Sequence, residues 1–475
     1  MIINEHTPYW DSAIIGIFSA FALLLFGFWA YKAIRRARHE SAAARQMGGY
    51  AASEMMRAGG LGVALSGWSA RPSGPSASAG RVRRSGEGGG RRRRPPRLRE
   101  LDPDFSSIAF EDLAYRIYAA AYRGSSRGGD LDALAPYLTA ELREELLRSN
   151  RMEALISAVL VGSAAIERIR HEDDFITITV LYTSNVSYTD IARPHTLYLR
   201  ERWTFRRQLD ATTRPPEETQ GLGCPSCGAV FKSVDLRRCD HCDTVVADAR
   251  FEWQVFQRER LERVRKPPAL GHSVIEVGTN DRTIVQRGLK ERLAEAAGES
   301  PPFDLAAVEA RTKQIFDRLT SAWNDGDLAG MRPLLSDALF DYMRYWLHAY
   351  EVNGLRNRLD DAWTLRLEPA KYRRDSYFQA ITLRVFADGV DYTTDTSGTL
   401  VSGSRSERRV YSEYWTLIRS VALPSEAGGG EQCPRCGGPL ALTMAGNCEH
   451  CGIHLTLGSF DWVLSKIEQD EVYRG

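Results

Sequence analysis

Apolar residues change their spacing along this chain twice, in the same order each time. Phe110, Leu113, Ala114, Ile117, Tyr118 and Ala121 recur every three or four positions, which gathers them on one helix face. Val308, Ile315, Phe316, Leu319, Ala322 and Trp323 do the same further on. A Gly-Asp turn follows each run, then a second helix whose expected N-caps are Thr139 and Ser336, with side-chain oxygens placed to accept free N–H groups of the first turn. The period then falls to two. FITITVLY (175–182) and YFQAITLRVF (377–386) alternate and are rich in β-branched and aromatic residues, as half-buried strands are. The triplets WTF, FEW, WTL and FDW are expected to supply further strands.

The two runs belong to an internal repeat. GDLDALAPYLTAEL (129–142) matches GDLAGMRPLLSDAL (326–339), and RERWTFRR (200–207) matches SEYWTLIR (412–419). CDHCDTVVADARFEWQVF (239–256) matches CEHCGIHLTLGSFDWVLS (448–465), with the same gap from the last cysteine to the Phe-acid-Trp triplet. Duplication accounts for an identical order of unrelated motifs. Helices first and strands after, within one repeat, predict an α+β domain with helices packed on one face of an antiparallel sheet. The expected layout is a first domain at 101–262, a linker at 263–300 with a polar helical stretch near Thr283–Ala297, and a second domain at 301–475. The longer segment Asp388–Arg409 should give the second copy a different rim.

Before the repeats, Ser12 to Ile34 forms an apolar run, uncharged from Ala13 to Tyr31, long enough for a helix to span about 30 Å of hydrocarbon. Tyr9 and Trp10 sit at one end, Trp29 and Tyr31 at the other, as interfacial aromatics do. Acidic residues precede it, and Lys32, Arg35, Arg36 and Arg38 follow. The positive-inside rule therefore predicts a single-pass helix at 12–34, with the N-terminus outside and the rest on the cytoplasmic side of an inner membrane. A cleaved signal would want the reverse flank and a shorter run. Ser12, Gly16 and Ala20 fall four apart and could pack a helix dimer, one route to a homo-oligomer.

The formal net charge of the 475 residues is +1, which excludes nucleic-acid binding by bulk charge. The charge is uneven, however. Residues 35–100 are rich in Gly, Ser and Arg, including Arg91, Arg92, Arg93 and Arg94, and have no sustained period. Such a segment is expected to be a disordered basic linker, drawn to anionic lipid headgroups at about 1 kcal/mol per basic residue. Aromatic residues do not alternate with its arginines, which argues against a nucleic-acid partner.

The eight cysteines form two quartets, Cys224, Cys227, Cys239, Cys242 and Cys433, Cys436, Cys448, Cys451. Each reads C-x-x-C, eleven residues, C-x-x-C, the spacing of two metal knuckles. Four thiolates at one centre suit tetrahedral zinc and leave no position for a water, so two structural zinc ions are expected, in ribbons at 222–247 and 431–456. Asp243 stands where a glycine is expected after Cys242, and it tolerates the left-handed region better than most residues. His241 and His450 should be exposed loop residues. Each ribbon interrupts a hairpin and is expected to project from a sheet edge.

Taken together, the long opening helix, the GDLxxLxPYLTxEL-type turn, the R-W-T-F strand and the CPxCG ribbon before FDWVLSKI (460–467) resemble the Tim forty-four-like domain family, over about 105–256 and 303–466. The resemblance implies two tandem cone-shaped domains of the nuclear transport factor two-like superfamily, behind a membrane helix and a glycine-rich linker. It further implies membrane association, a concave pocket for protein or lipid, and a place in transport.

Among catalytic motifs, a P-loop, G-x-G-x-x-G opening a helix and H-E-x-x-H are all missing from the sequence. The reading is therefore a membrane-tethered binding scaffold with an unidentified protein partner and no catalytic residues, linked to protein transport or assembly of membrane complexes. The alternative is a cone-fold enzyme, or a binder of lipid or another small ligand.

Overall fold

The computed structural model describes residues 98–475, apart from 151–154, 173, 190–194, 217–221, 266–277, 423–431, 456–457, 471–472 and 474. The expected membrane helix at 12–34 lies outside the described residues, as does nearly all of the basic linker. Among the described residues no helix is long and apolar enough to cross a membrane. The linker expected to reach residue 100 ends sooner, because Leu98–Leu101 forms a short helix, α1, whose leucines pack on the core.

In the first repeat, α2 (Ser107–Gly124) and α3 (Ala140–Asn150) precede strands β1 (Leu155–Glu172), β2 (Phe175–Thr189), β3 (His195–Gln208) and β4 (Gln254–Arg265). These form an antiparallel sheet in the order β1-β2-β3-β4. In the second repeat, α4 (Leu289–Ala296), α5 (Leu305–Asp325), α6 (Leu328–Met331) and α7 (Asp337–Val352) come first. Strands β5 (Leu355–Arg374), β6 (Phe378–Asp395), β7 (Leu400–Gly403), β8 (Arg409–Ser420) and β9 (Val463–Gln469) follow. Their order is β5-β6-β8-β9, with β7 on β6. The fold is α+β with antiparallel sheets.

All twelve helix positions expected to be apolar are buried in α2 and α5. Both helices also carry caps that periodicity does not disclose. The Ser106 side chain accepts from Ala109 N, and Asp304 accepts from Ala306 N and Ala307 N. Of the two expected caps, Thr139 accepts from Leu142 N at 3.4 Å. Ser336 sits at the N-cap of α7 but makes no cap bond, because its hydroxyl turns to the Ser465 carbonyl. Just before α3 and α7, matching parallel bridges, Leu138 with Val255 and Leu335 with Leu464, stitch each helix start to the last strand of its own sheet.

The triplets FEW and FDW are not strands. They are bends that aim the chain into β4 and β9, which begin one residue later. Within 263–300, Leu289–Ala296 forms α4, and its buried Leu289 and Ala296 join the core. That core is continuous across both repeats, running from Phe110, Tyr118 and Trp203 to Phe316, Trp346 and Trp415. The second repeat's outer face is covered by Asp470 and Tyr473. Arg384 pairs with Asp470 at 2.9 Å, and Tyr473 stacks on Tyr414 with ring centroids 3.8 Å apart.

Candidate functional site

The two cysteine quartets are inserted at equivalent points, between β3 and β4 and between β8 and β9. In each quartet the four ligand atoms lie within 4.8 Å of one another. All four knuckles share one backbone design. The residue after the second cysteine donates its N–H to the first cysteine's carbonyl: Gly228 to Cys224, Asp243 to Cys239, Gly437 to Cys433 and Gly452 to Cys448. Each of these residues takes positive φ, at 75°, 57°, 69° and 72°. Glycine adopts that region freely, and Asp243 reaches it as one of the few other residues that can.

The sulfurs Cys224–Cys242, Cys433–Cys451 and Cys436–Cys448 stand 3.8, 3.8 and 3.9 Å apart. Tetrahedral ligation at a metal–sulfur distance of about 2.3 Å sets its sulfurs about 3.8 Å apart, nearly twice a disulfide bond length. The donor set therefore fits a metal ion. Ser226 N–H points at the Cys224 sulfur at 3.4 Å; hydrogen bonds from Thr244 hold the Cys242 thiol down to about 6, whereas burial pushes the Cys224 thiol up to about 12. His241 and His450 are exposed.

The ribbons differ in their seating. The first packs Cys224, Phe231, Cys239 and Val246 into a small cluster around Ala135, and Tyr137 donates to the Gly223 carbonyl at 2.9 Å. The second was expected to project from the sheet edge. Instead Cys433, Leu442, Cys448 and Leu455 lie against Phe378 and Ile418 of the second sheet and Ile108 of the first repeat. His454 fixes it further by pairing with Asp337 at the start of α7, at 2.9 Å.

Each sheet carries a buried Glu-x-Trp pair on its third long strand, Glu201 with Trp203 and Glu413 with Trp415. In both, the indole N–H donates to the carboxylate, at 3.1 and 3.0 Å. Around Glu201 the site is filled. Tyr122 donates to it at 2.8 Å, Tyr118 at 3.1 Å and Arg260 at 3.3 Å. Burial, and then the Glu201 charge, push both tyrosines well above their usual range, so they remain donors. In the second repeat Phe316, without a hydroxyl, lies against Trp415 as Tyr118 lies against Trp203. The aligned RERWTF and SEYWTL motifs contained this acid, although nothing in one strand's pattern says that it points inward.

Between the repeats lies an open cleft of about 1040 Å³. Its walls are β1 at Ser157–Val159, the C-terminal turns of α5 and α7, and the first residues of β5. Trp323, Tyr345 and Tyr350 lie buried behind its wall, and Arg344, Arg356 and Arg358 supply charge.

Residues 289–428 match the family model of the Tim44-like domain. The Tim44-like match runs from α4 through β8, and so includes β5 and the α7 wall of the cleft. A solved structure titled "Ntf2 like protein involved in plasmid conjugation" is 7% identical, over 76% of this chain and 97% of that one. Its TM-score is 0.15, too low to weigh on the fold. No curated protein matches the chain.

Proposed function

We propose that this chain is a membrane-tethered binding scaffold stabilised by two structural zinc ions, serving protein transport or the assembly of membrane-associated complexes. The observation that carries the reading is the joint presence of a Tim44-like domain and two closed four-cysteine centres. Cys224, Cys227, Cys239 and Cys242 would hold one zinc, and Cys433, Cys436, Cys448 and Cys451 the other. Four sulfurs complete a tetrahedral shell, so each ion would contribute folding energy and leave no place for substrate. The uncharged stretch from Ala13 to Tyr31 supports a single-pass anchor, with Lys32 to Arg38 and the arginine-rich linker facing anionic lipid on the cytoplasmic side. The tandem cone-shaped domains at 101–262 and 301–475 would stand beyond that linker as a docking platform.

Binding is preferred over catalysis because Glu201, a fully buried acid of the first repeat, is enclosed by its own donors. The test combines metal analysis with topology. Two zinc ions per purified chain and a cytoplasmic C-terminal reporter are expected. A metal-free chain with oxidised sulfurs, or an exported C-terminus, overturns the reading.

A further inference from the structure

The second repeat covers part of the first, and strand register locates the matching surface that the second repeat leaves open. Arg202 and Tyr414 hold the same place in the aligned strand motifs, and they pair with Leu181 and Arg384. Further along these strands run two equivalent cross-strand rows. They are Leu160–Asn185–Tyr198 in the first sheet and Trp363–Asp388–Val410 in the second. Both lie on the outer face, opposite to the inward Glu-x-Trp pair, because side chains alternate along a strand.

In the first sheet this face is taken. α7 packs on β1 and α2, and its Tyr345 hydroxyl faces the Ser187 and Thr196 hydroxyls beside the row. Leu160 is 1% exposed and Tyr198 7%. In the second sheet Asp470 and Tyr473 cover Arg384 and Tyr414, and the row beyond them is open. Trp363 is 45% exposed, with Arg408 over its ring, and Val410 is 49% exposed. The opening helices repeat the contrast. Tyr118 and Phe316 are equivalent, each lying against the tryptophan of its strand motif. On α2, Asp112, Tyr115 and Ala119 are buried, and Tyr115 donates to Asp341 of α7 at 3.4 Å. The matching positions of α5, Ala310, Lys313 and Asp317, are exposed.

The element that would fill this surface is also present. α3 is the counterpart of α7, since 129–142 aligns with 326–339. Glu144 and Arg148 stand where α7 has Asp341 and Tyr345, the side chains that engage the first repeat. Their side chains are 71% and 65% exposed and pair with each other at 3.5 Å. Set against the second repeat as α7 is set against the first, Glu144 would meet Lys313, the counterpart of Tyr115. Arg148 would meet Asp360, which pairs with Val390 as Ala158 pairs with Ser187. Both encounters join opposite charges.

We propose that this chain assembles head to tail, with the Trp363–Val410 row and the Lys313 face of α5 in one copy receiving α3 of a second copy. The apolar row supplies burial, and the two charge pairs fix orientation. The two surfaces differ, so the contact does not close on itself and copies add in a row. This goes beyond the scaffold reading and does not depend on what the scaffold holds.

The test uses the full chain in detergent micelles. Sedimentation should show its mass rising with concentration beyond that of a dimer. Trp363→Glu removes one face, and Glu144→Arg with Arg148→Glu removes the other while keeping the pair within α3. All three changes are at exposed side chains, and unchanged unfolding midpoints verify that both variants fold. Each variant alone should associate at least about tenfold more weakly than the native chain. Tagged Trp363→Glu should retain the untagged double variant at least about tenfold more than it retains untagged Trp363→Glu, because only the first pairing has one intact face of each kind. The segment before the repeats contributes equally to both captures. A native chain whose mass stays constant, variants that associate as the native chain does, or equal capture in the two pairings overturns the proposal.

Discussion

The two repeats share a chassis and differ in what fills it. Both carry an inward Glu-x-Trp pair, both stitch a helix start to the last strand, and both insert a four-cysteine ribbon at the same point. In the first, two tyrosine hydroxyls, an indole and an arginine close on Glu201. In the second, a phenylalanine replaces the inner tyrosine, the rim is lengthened by β7, and a cleft opens beside β5. The ribbons diverge in parallel, one seated on a loop and the other wedged between sheet and neighbouring helix. Duplication thus appears here as division of labour. One copy has become a support whose polar centre is closed over by its own side chains, and the other keeps an accessible surface.

The sharpest way to break this comparison is through the metal. Cys448→Ser should reduce bound metal from two ions to one and destabilise the whole molecule. Zinc binding in such modules amounts to about 10–16 kcal/mol, and this ribbon is part of a buried cluster. Cys239→Ser should lose one ion as well, but melt only its own ribbon. Metal analysis together with hydrogen exchange distinguishes the two, and equal global loss from both would contradict the difference in seating. Next in size is the acid pair. Glu201→Gln leaves Arg258 and Arg260 facing a neutral amide in a buried site and should cost about 3 kcal/mol in denaturant unfolding. Glu413→Gln should cost less, about 1–2 kcal/mol. A larger loss at Glu413 would reverse the assignment of support and surface.

Smaller effects probe the ring that differs. Tyr118→Phe copies the second repeat into the first, removes one donor from Glu201 and should cost about 1 kcal/mol. Smallest is the knuckle residue. Gly452→Asp reproduces Asp243 in the second ribbon and should cost about 0.5–1 kcal/mol, read from the unfolding midpoint, because a side chain must then enter the left-handed region.

Much of this was legible in the amino-acid order, because the signals were local. Cysteine spacing, the helix faces of α2 and α5 and the alternation at 175–182 need no distant partner to be read. The long outer strands β1 and β5 were not. In β5, bulges and the run Arg366 to Arg374, with Pro369 inside it, erase the two-residue period that marks a strand. Ser336 has the chemistry of a cap, yet its hydroxyl is drawn to a carbonyl on β9, more than a hundred residues away. The cleft was hidden for the same reason. It depends on where two repeats meet, and the register of either one alone says nothing about it. Asn324 reads as an ordinary turn residue until its amide is seen beside Leu359.

The closing of the second sheet's outer face by Asp470 and Tyr473 has a consequence for synthesis. Arg384, buried near the middle of β6, gains its carboxylate only after residue 470 has left the ribosome. The first repeat has all its strands once residue 265 has emerged. Maturation is therefore ordered in time, with the support half set first and the half bearing the cleft completed only after residue 470 has emerged.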